Sequence, residues 1–166
     1  MSTRPLFRVL FLCTGNSARS LMAEAALSDL GAGRFEAYSA GSHPTGSPHP
    51  MALQVLGEQA HSVEGLRSKS WDEFSGPGSP DLDLVITVCD NAKSEACPIW
   101  PGGPMTAHWG VEDPAAVEGD HGAQHDTFFR VYGVLRRRIE GLLDLAEDPA
   151  SLVNLRDSVQ ELGQRP

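Results

Sequence analysis

Cys13 closes the apolar run FRVLFL, and Arg19 follows six positions later with TGNSA between them. A thiol and a guanidinium at the two ends of a turn of small and polar residues are the parts of an oxyanion-binding loop. Backbone N–H groups of the turn and of the helix that follows can converge on a tetrahedral oxyanion, while Arg19 offers a planar fork to two of its oxygens. The same positive field is expected to stabilise a thiolate at Cys13, so that one device activates a nucleophile and binds its electrophile. Ser20 can donate its hydroxyl to that thiolate, and Asn16 can hold the curled turn through its side-chain amide. The bland alternative is a buried strand-end cysteine, a solvated arginine and a helix-capping serine. The strand before the turn and the helix after it favour a loop made of Cys13, Thr14, Gly15, Asn16, Ser17, Ala18, Arg19 and Ser20.

Three further residues extend the chemistry. Asp113 stands before Pro114, which restricts it to extended backbone and helps to aim its carboxyl group at a departing oxygen that needs a proton. Glu112 is its neighbouring competitor. Cys89 closes a second apolar run, and Cys97 follows across the seven residues DNAKSEA. The alternatives are a small buried hydrophobe for Cys89 and an incidental loop thiol for Cys97. The count of thiols separates reaction classes. Hydrolysis of a phosphocysteine needs one cysteine, whereas a two-electron reduction of the bound oxyanion consumes a thiol pair.

The chain that must position these groups has 166 residues, 22 of them acidic and 13 basic, for a formal charge of −9. That size suits one domain able to bury roughly two thirds of its unfolded surface without disulfides or metals. The acidic balance argues against nonspecific nucleic-acid or anionic-membrane binding but permits one local positive pocket. No apolar run approaches the roughly 18 to 20 residues of a membrane span, and the N-terminus enters a strand-like run without a cleavage region, so a cytoplasmic chain is expected. Three cysteines are an odd set for a disulfide framework. The six histidines, His43, His49, His61, His108, His121 and His125, form no zinc-binding pattern and are expected in surface or loop positions. No metal or tightly bound cofactor is expected from residue spacing.

Strands and helices alternate. Phe7 to Leu12 suits a central strand. From Ser20 to Leu30 a helix with one main buried side is expected, with Gly31 as its stop. Phe35 to Ser39 reads as a strand and AGSHPTGSPHP as a loop. Pro50 opens a helix over MALQVLGEQA with Leu53 and Leu56 toward the core, SWDEF carries a second helical start, and Leu82 to Val88 is a β-branched strand. A long helix follows, with Phe128, Val131 or Tyr132, Leu135, Ile139, Leu142 and Leu143 on its apolar stripe and Arg136 to Arg138 largely solvated. From Pro149 the spacing of Leu152, Leu155, Val159 and Leu162 is helical. This order predicts a parallel sheet with helices on both faces, its ligand-handling loops at the C-terminal ends of the strands where Cys13 and Cys89 both stand.

The segments CTGNSARSLMAEA, SAGSHP, VITVCDNAKSEACP and HWGVEDPA resemble those of the low-molecular-weight protein tyrosine phosphatase superfamily, and within it the phosphatase-fold arsenate reductases. The likeness covers about residues 6 to 146, and the domain reading that goes with it is a catalytic domain over 1–148 with a C-terminal extension of helical spacing over 149–166. The resemblance implies an α/β fold with a four-stranded parallel sheet flanked by helices, Cys13 as nucleophile, Arg19 as oxyanion ligand, Asp113 as general acid and Cys89 with Cys97 as a resolving pair. It also implies a monovalent-cation site, for which Asn16, Glu24 and Ser39 stand in matching positions while Ser68 and Lys69 lie where a further carboxylate is expected. Thioredoxin-coupled members have six residues between the resolving cysteines, one fewer than here, so the external thiol reductant is left as thioredoxin or glutaredoxin with glutathione. Two other functions stay open. One is phosphatase action, against which Ala115 and Ala116 stand where a phosphatase has aromatic residues; the other is a non-catalytic oxyanion-sensing or protein-binding module.

Overall fold

The computed structural model describes residues 6–89, 103–146 and 156–166. Four parallel strands make one sheet: β1 (Phe7–Cys13), β2 (Phe35–Gly41), β3 (Leu84–Thr87) and β4 (Met105–His108), in the order β2-β1-β3-β4. The continuous apolar runs of β1 and β3 are explained by their central positions, buried on both faces. Because β2 lies on one side of β1 and β3 on the other, the strand order reverses between β1 and β3. A parallel sheet opens a crevice beyond its carboxyl ends at that point, and Cys13 and Cys89 occupy it.

Alternate residues of β1 feed two cores. Val9, Phe11 and Cys13 pack with α1 (Arg19–Leu30), α2 (Pro50–Glu58) and α3 (His121–Leu145), whereas Leu10 and Leu12 join Ala40, Phe74, Leu82 and Val85. Among the described residues this second face is covered by a single 3-10 turn, Trp71–Phe74, where a helical start and a helix layer were expected. Ser70 caps that turn by accepting the Asp72 N–H at 3.1 Å. Strand β4 has no counterpart in the strands read from periodicity. Its four residues bury only Ala107, too short a pattern to register, and it forms by pairing with β3.

The one-sided burial expected of α1 is corrected. Leu21, Met22, Ala23, Ala25, Ala26 and Leu27 are all buried, because α1 lies on the sheet and also packs against α2 and α3. Its alanines permit that close approach on several sides. In α2, Met51, Ala52, Val55 and Leu56 are buried and Leu53 is half-buried. Helix α3 starts seven residues before Phe128, where Asp120 accepts the Ala123 N–H at 2.9 Å as its cap. The tail forms α4 (Arg156–Leu162), which buries Val159 and Leu162 against the main core; Leu152 and Leu155 lie outside the described residues.

The solvated reading of Arg138 is also overturned. Arg138 is buried and donates to the carbonyls of Trp109 (3.0 Å), Gly110 (3.2 Å) and Arg165 (2.9 Å). It therefore sits on the α3 face that meets both the segment after β4 and the C-terminus. His61 stands in a loop, one of the positions expected for it, and is buried there, bonded through Nδ1 to Asp29 at 2.8 Å and through Nε2 to the Tyr132 hydroxyl. It thus joins α1 to α3. The segment after β4 is held on its far side as well: Trp109 is fully buried with its indole N–H on the Val159 carbonyl at 2.9 Å, and the Gln160 side chain accepts the His108 N–H at 2.9 Å.

Arg138→Met should leave three carbonyls, the buried one of Trp109 among them, without their donor. The expected destabilisation is about 3 kcal/mol, read as a lower denaturation midpoint at unchanged slope in urea. An unchanged midpoint would remove Arg138 from the support of the segment that carries Asp113.

Candidate active site

The turn after β1 is shaped from outside. The loop after β2 donates backbone N–H groups to its carbonyls: His43 to Thr14 (2.9 Å), Thr45 to Gly15 (3.0 Å) and His49 to Ser17 (2.8 Å). Ser68 adds its hydroxyl to the Gly15 carbonyl at 3.0 Å. In a trans peptide the N–H points opposite to the C=O, and none of these bonds is cis. Fixing three carbonyls outward therefore turns the N–H groups of Gly15, Asn16 and Ala18 inward. Helix α1 begins at Arg19 with no side-chain cap at Ala18, so its first N–H groups complete the ring of donors.

Asn16 adopts the left-handed conformation (φ 46°) that closes the turn, and both ends of its buried side chain are engaged. Oδ1 accepts the Lys69 N–H at 2.9 Å and Nδ2 donates to Ser20 Oγ at 2.8 Å. Asn16 thus plays the holding part foreseen for it, and the Ser20 hydroxyl oxygen is its anchor. Gly41, at the end of β2, lies directly under the turn. A Cβ there would stand 2.4 Å from the Thr14 carbonyl oxygen and 2.8 Å from that of Cys13.

Arg19 bounds the other side. Its Nη1 donates to the Val111 carbonyl at 3.1 Å and its Nη2 lies 3.8 Å from Asp113 Oδ2. The segment that brings Asp113 here is fastened to the end of β3 by the Trp109 N–H on Thr87 and the Val111 N–H on Val88. Asp113 is in extended backbone before Pro114, as expected, and its Oδ1 accepts the Ala115 N–H at 3.0 Å. Its competitor Glu112 is held by Arg130 at the surface. The guanidinium and the acid therefore face one another across the mouth of the loop, where an oxyanion would replace part of their mutual pairing.

Cys13 and Cys89 are free of any disulfide, 4% and 2% exposed, and their thiols lie within hydrogen-bonding reach of each other. Thr14 Oγ1 lies 3.7 Å from the Cys89 sulfur. The Cys89 hydrogen bond, then burial, push the Cys13 thiol far above the usual thiol range, against the charge of Arg19 and the Thr14 N–H, which lower it. Burial and the neighbouring thiol thus oppose the positive field of the loop at Cys13. Cys97 and the DNAKSEA connector lie outside the described residues.

Sequence reasoning did not single out Gly41 or Ser68 as parts of this site, and it left Lys69 without a role. All three act through backbone contacts at long sequence separation, which residue type does not reveal. The one available signal was the glycine of SAGSHP at a strand end, a usual mark of close backbone approach.

The sequence pattern of the low molecular weight phosphotyrosine protein phosphatases matches residues 8–155. The chain belongs to that family. Within the family, its relatives include the arsenate reductases of Halalkalibacterium halodurans, 33% identical over 132 residues (80% of this chain, 91% of the relative), and of Bacillus licheniformis, 35% identical over 144 residues (84% and 96%). Among solved structures, an arsenate reductase in the phosphate-binding state superposes with a TM-score of 0.69 at 29% identity, covering 84% of this chain and 98% of the other. A thioredoxin-dependent arsenate reductase of Corynebacterium glutamicum gives 0.61 at 25% identity over 93% of this chain and 65% of its own. The fold expected from the resemblance is the fold found, a four-stranded parallel sheet with flanking helices.

Two outcomes test this site. Gly41→Ala should displace the turn and weaken phosphate binding at least about tenfold while the chain stays folded, since backbone, not a flexible side chain, meets the new methyl group. Calorimetric titration with phosphate, alongside circular dichroism, reads both. Cys89→Ala removes the largest influence that raises the Cys13 pKa. The pH profile of Cys13 alkylation by iodoacetamide should then move to lower pH, and an unmoved profile would dissociate the two thiols.

Proposed function

We propose that the chain reduces arsenate to arsenite with electrons from its own thiols, which an external thiol reductant restores. The observation that carries this reading is the nearness of the Cys89 thiol to the Cys13 thiol, beside the oxyanion loop. A hydrolase has no use for a second thiol touching its nucleophile, whereas a reductase needs one placed to attack it. The arsenate reductases among the relatives support the same choice.

The residues act in order. Oxyanion binding to the inward N–H groups and Arg19 draws the guanidinium from Asp113 and brings Cys13 to arsenic. The Cys13 thiol gives its proton to an oxygen of the bound oxyanion, and the resulting thiolate forms an S–As bond as one As–O bond breaks and that oxygen leaves as water with a proton from Asp113. The Cys89 sulfur then attacks Cys13 Sγ. The S–As bond breaks with its electron pair on arsenic, As(V) becomes As(III), and arsenite leaves a Cys13–Cys89 disulfide. Cys97 attacks Cys89, frees Cys13 as a thiol and leaves a Cys89–Cys97 disulfide. Two electrons from a dithiol reductant, thioredoxin or glutaredoxin with glutathione, return the protein to its starting state. The likeness to a thioredoxin-dependent relative supports the first of these, and a thiol-reducing cytoplasm is the compartment this cycle requires.

Hydrolysis of phosphate esters is the second reading, favoured by the family itself. Against a phosphotyrosine substrate, Ala115 and Ala116 are exposed beside Asp113 and offer no ring surface.

One equivalent of arsenate should yield one arsenite and a Cys89–Cys97 disulfide, located by mass spectrometry after alkylation. Cys89→Ala should stop arsenite release after the first adduct and spare slow hydrolysis of a small phosphate ester. Cys97→Ala should trap Cys13–Cys89 after a single release. Catalytic arsenate reduction by both variants at the wild-type rate with thioredoxin would overturn the relay. Asp113→Asn should slow adduct formation in single turnover by about 10²-fold or more, with phosphate affinity largely kept.

A further inference from the structure

Lys69 is a buried cation that the cycle above does not use. Its side chain is 8% exposed, and Nζ lies 3.6 Å from Glu24 Oε1 while donating to the Arg67 carbonyl at 3.0 Å. Glu24 is also largely buried, one turn beyond Ser20 on α1, and it accepts the Ser39 hydroxyl at 2.5 Å. Burial raises the Glu24 carboxyl and lowers the Lys69 ammonium relative to their ordinary ranges, and the pairing opposes both shifts. Lys69 is a backbone hub as well. Its N–H goes to Asn16 Oδ1 and its carbonyl accepts the Gly41 N–H, each at 2.9 Å. One residue therefore connects the left-handed turn of the oxyanion loop, the strand end beneath it and the first turns of α1.

The resemblance implies a monovalent cation among Asn16, Glu24 and Ser39, and the residues present do not fit one. Such an ion needs several oxygen ligands and a negative surround. Here Asn16 Oδ1 is taken by the Lys69 N–H, and the charge of Glu24 is already matched. An added ion at Glu24 would stand beside a second positive charge that solvent screens poorly.

We propose that the Lys69 ammonium is a tethered replacement for that cation. It neutralises Glu24 and so holds Asn16, Ser20 and the oxyanion loop in binding shape without an alkali metal ion. Lys69 is a positioning residue, acting through Asn16 and Glu24. Its role is the same for a reductase or a phosphatase, so the test reads phosphate binding and stability, which do not depend on which reaction the protein performs.

At a constant ionic strength of about 0.1 M, the wild type should show the same phosphate affinity and thermal midpoint in potassium, sodium and choline chloride. Lys69→Met in choline chloride should bind phosphate about tenfold more weakly, the scale of one lost charged contact. Potassium or sodium should restore that affinity, because the stranded Glu24 carboxylate then recruits a metal ion. Combining Lys69→Met with Glu24→Gln should abolish the cation sensitivity. A saturable potassium effect on the wild type would overturn the proposal. So would wild-type affinity of Lys69→Met in choline chloride, or a weakened affinity that neither ion restores, which would leave Lys69 a packing residue. Should Lys69→Met not fold, the wild-type comparison of the three salts decides alone.

Discussion

Everything in this site depends on three carbonyls pointing the wrong way for a ligand. Thr14, Gly15 and Ser17 give their oxygens to the loop that follows β2, and peptide planarity then leaves the intervening N–H groups no direction but inward. A turn of six residues cannot impose this on itself. The outer loop supplies the partners, Asn16 absorbs the left-handed backbone, and Gly41 leaves room for the Thr14 carbonyl to lie against the strand end. The candidate anion site is thus a property of two loops and a strand terminus, although only one of the loops follows directly from Cys13.

The sheet topology explains why the second thiol is in reach. Reversal of strand order between β1 and β3 places both C-terminal ends at one crevice, so residues separated by 75 positions become neighbours. The thiols then raise a problem that the loop must overcome. Their hydrogen bond and their burial favour the neutral form, whereas catalysis needs the anion. In the proposed reaction an arriving oxyanion would replace the Arg19–Asp113 pairing, so substrate binding and nucleophile activation would share the same contacts. The acid is held with comparable care. Its segment is tied to β3 on one side, to Arg138 on a second and to α4 on a third.

Charge is distributed in two tiers. The chain carries a net −9, yet the crevice gathers Arg19, inward N–H groups and the N-terminus of α1. That local field is what an anionic substrate meets at close range. Beneath it, Lys69 and Glu24 form a buried pair that adds no net charge but fixes geometry, and Arg138 serves peptide carbonyls in the same manner. Buried charges in this protein are structural ties to backbone, set one layer away from the reacting atoms.

The sequence by itself determined the parts that are local. The strand–turn–helix around Cys13, the helix over Pro50–Glu58, the long apolar stripe of α3 and the Asp-Pro dipeptide are each written within a dozen or so residues, where periodicity and backbone restriction act. The nearness of Cys13 and Cys89 was legible as a topological expectation, since both end strands of one parallel sheet. What only the tertiary structure decided involves partners far apart in the chain. The four-residue β4 exists because β3 offers it a ladder, and the buried faces of α1 multiply because it is packed on several sides. Arg138 was read as solvated from its type and His61 only as a surface or loop residue, yet each is buried among distant partners: Asp29 and Tyr132 for His61, and the carbonyls of two other segments for Arg138. The surroundings of Cys13 are the sharpest case, because the opposing influences on its thiol come from an arginine six residues away and a sulfur 76 residues away, and only their positions in space bring the two together.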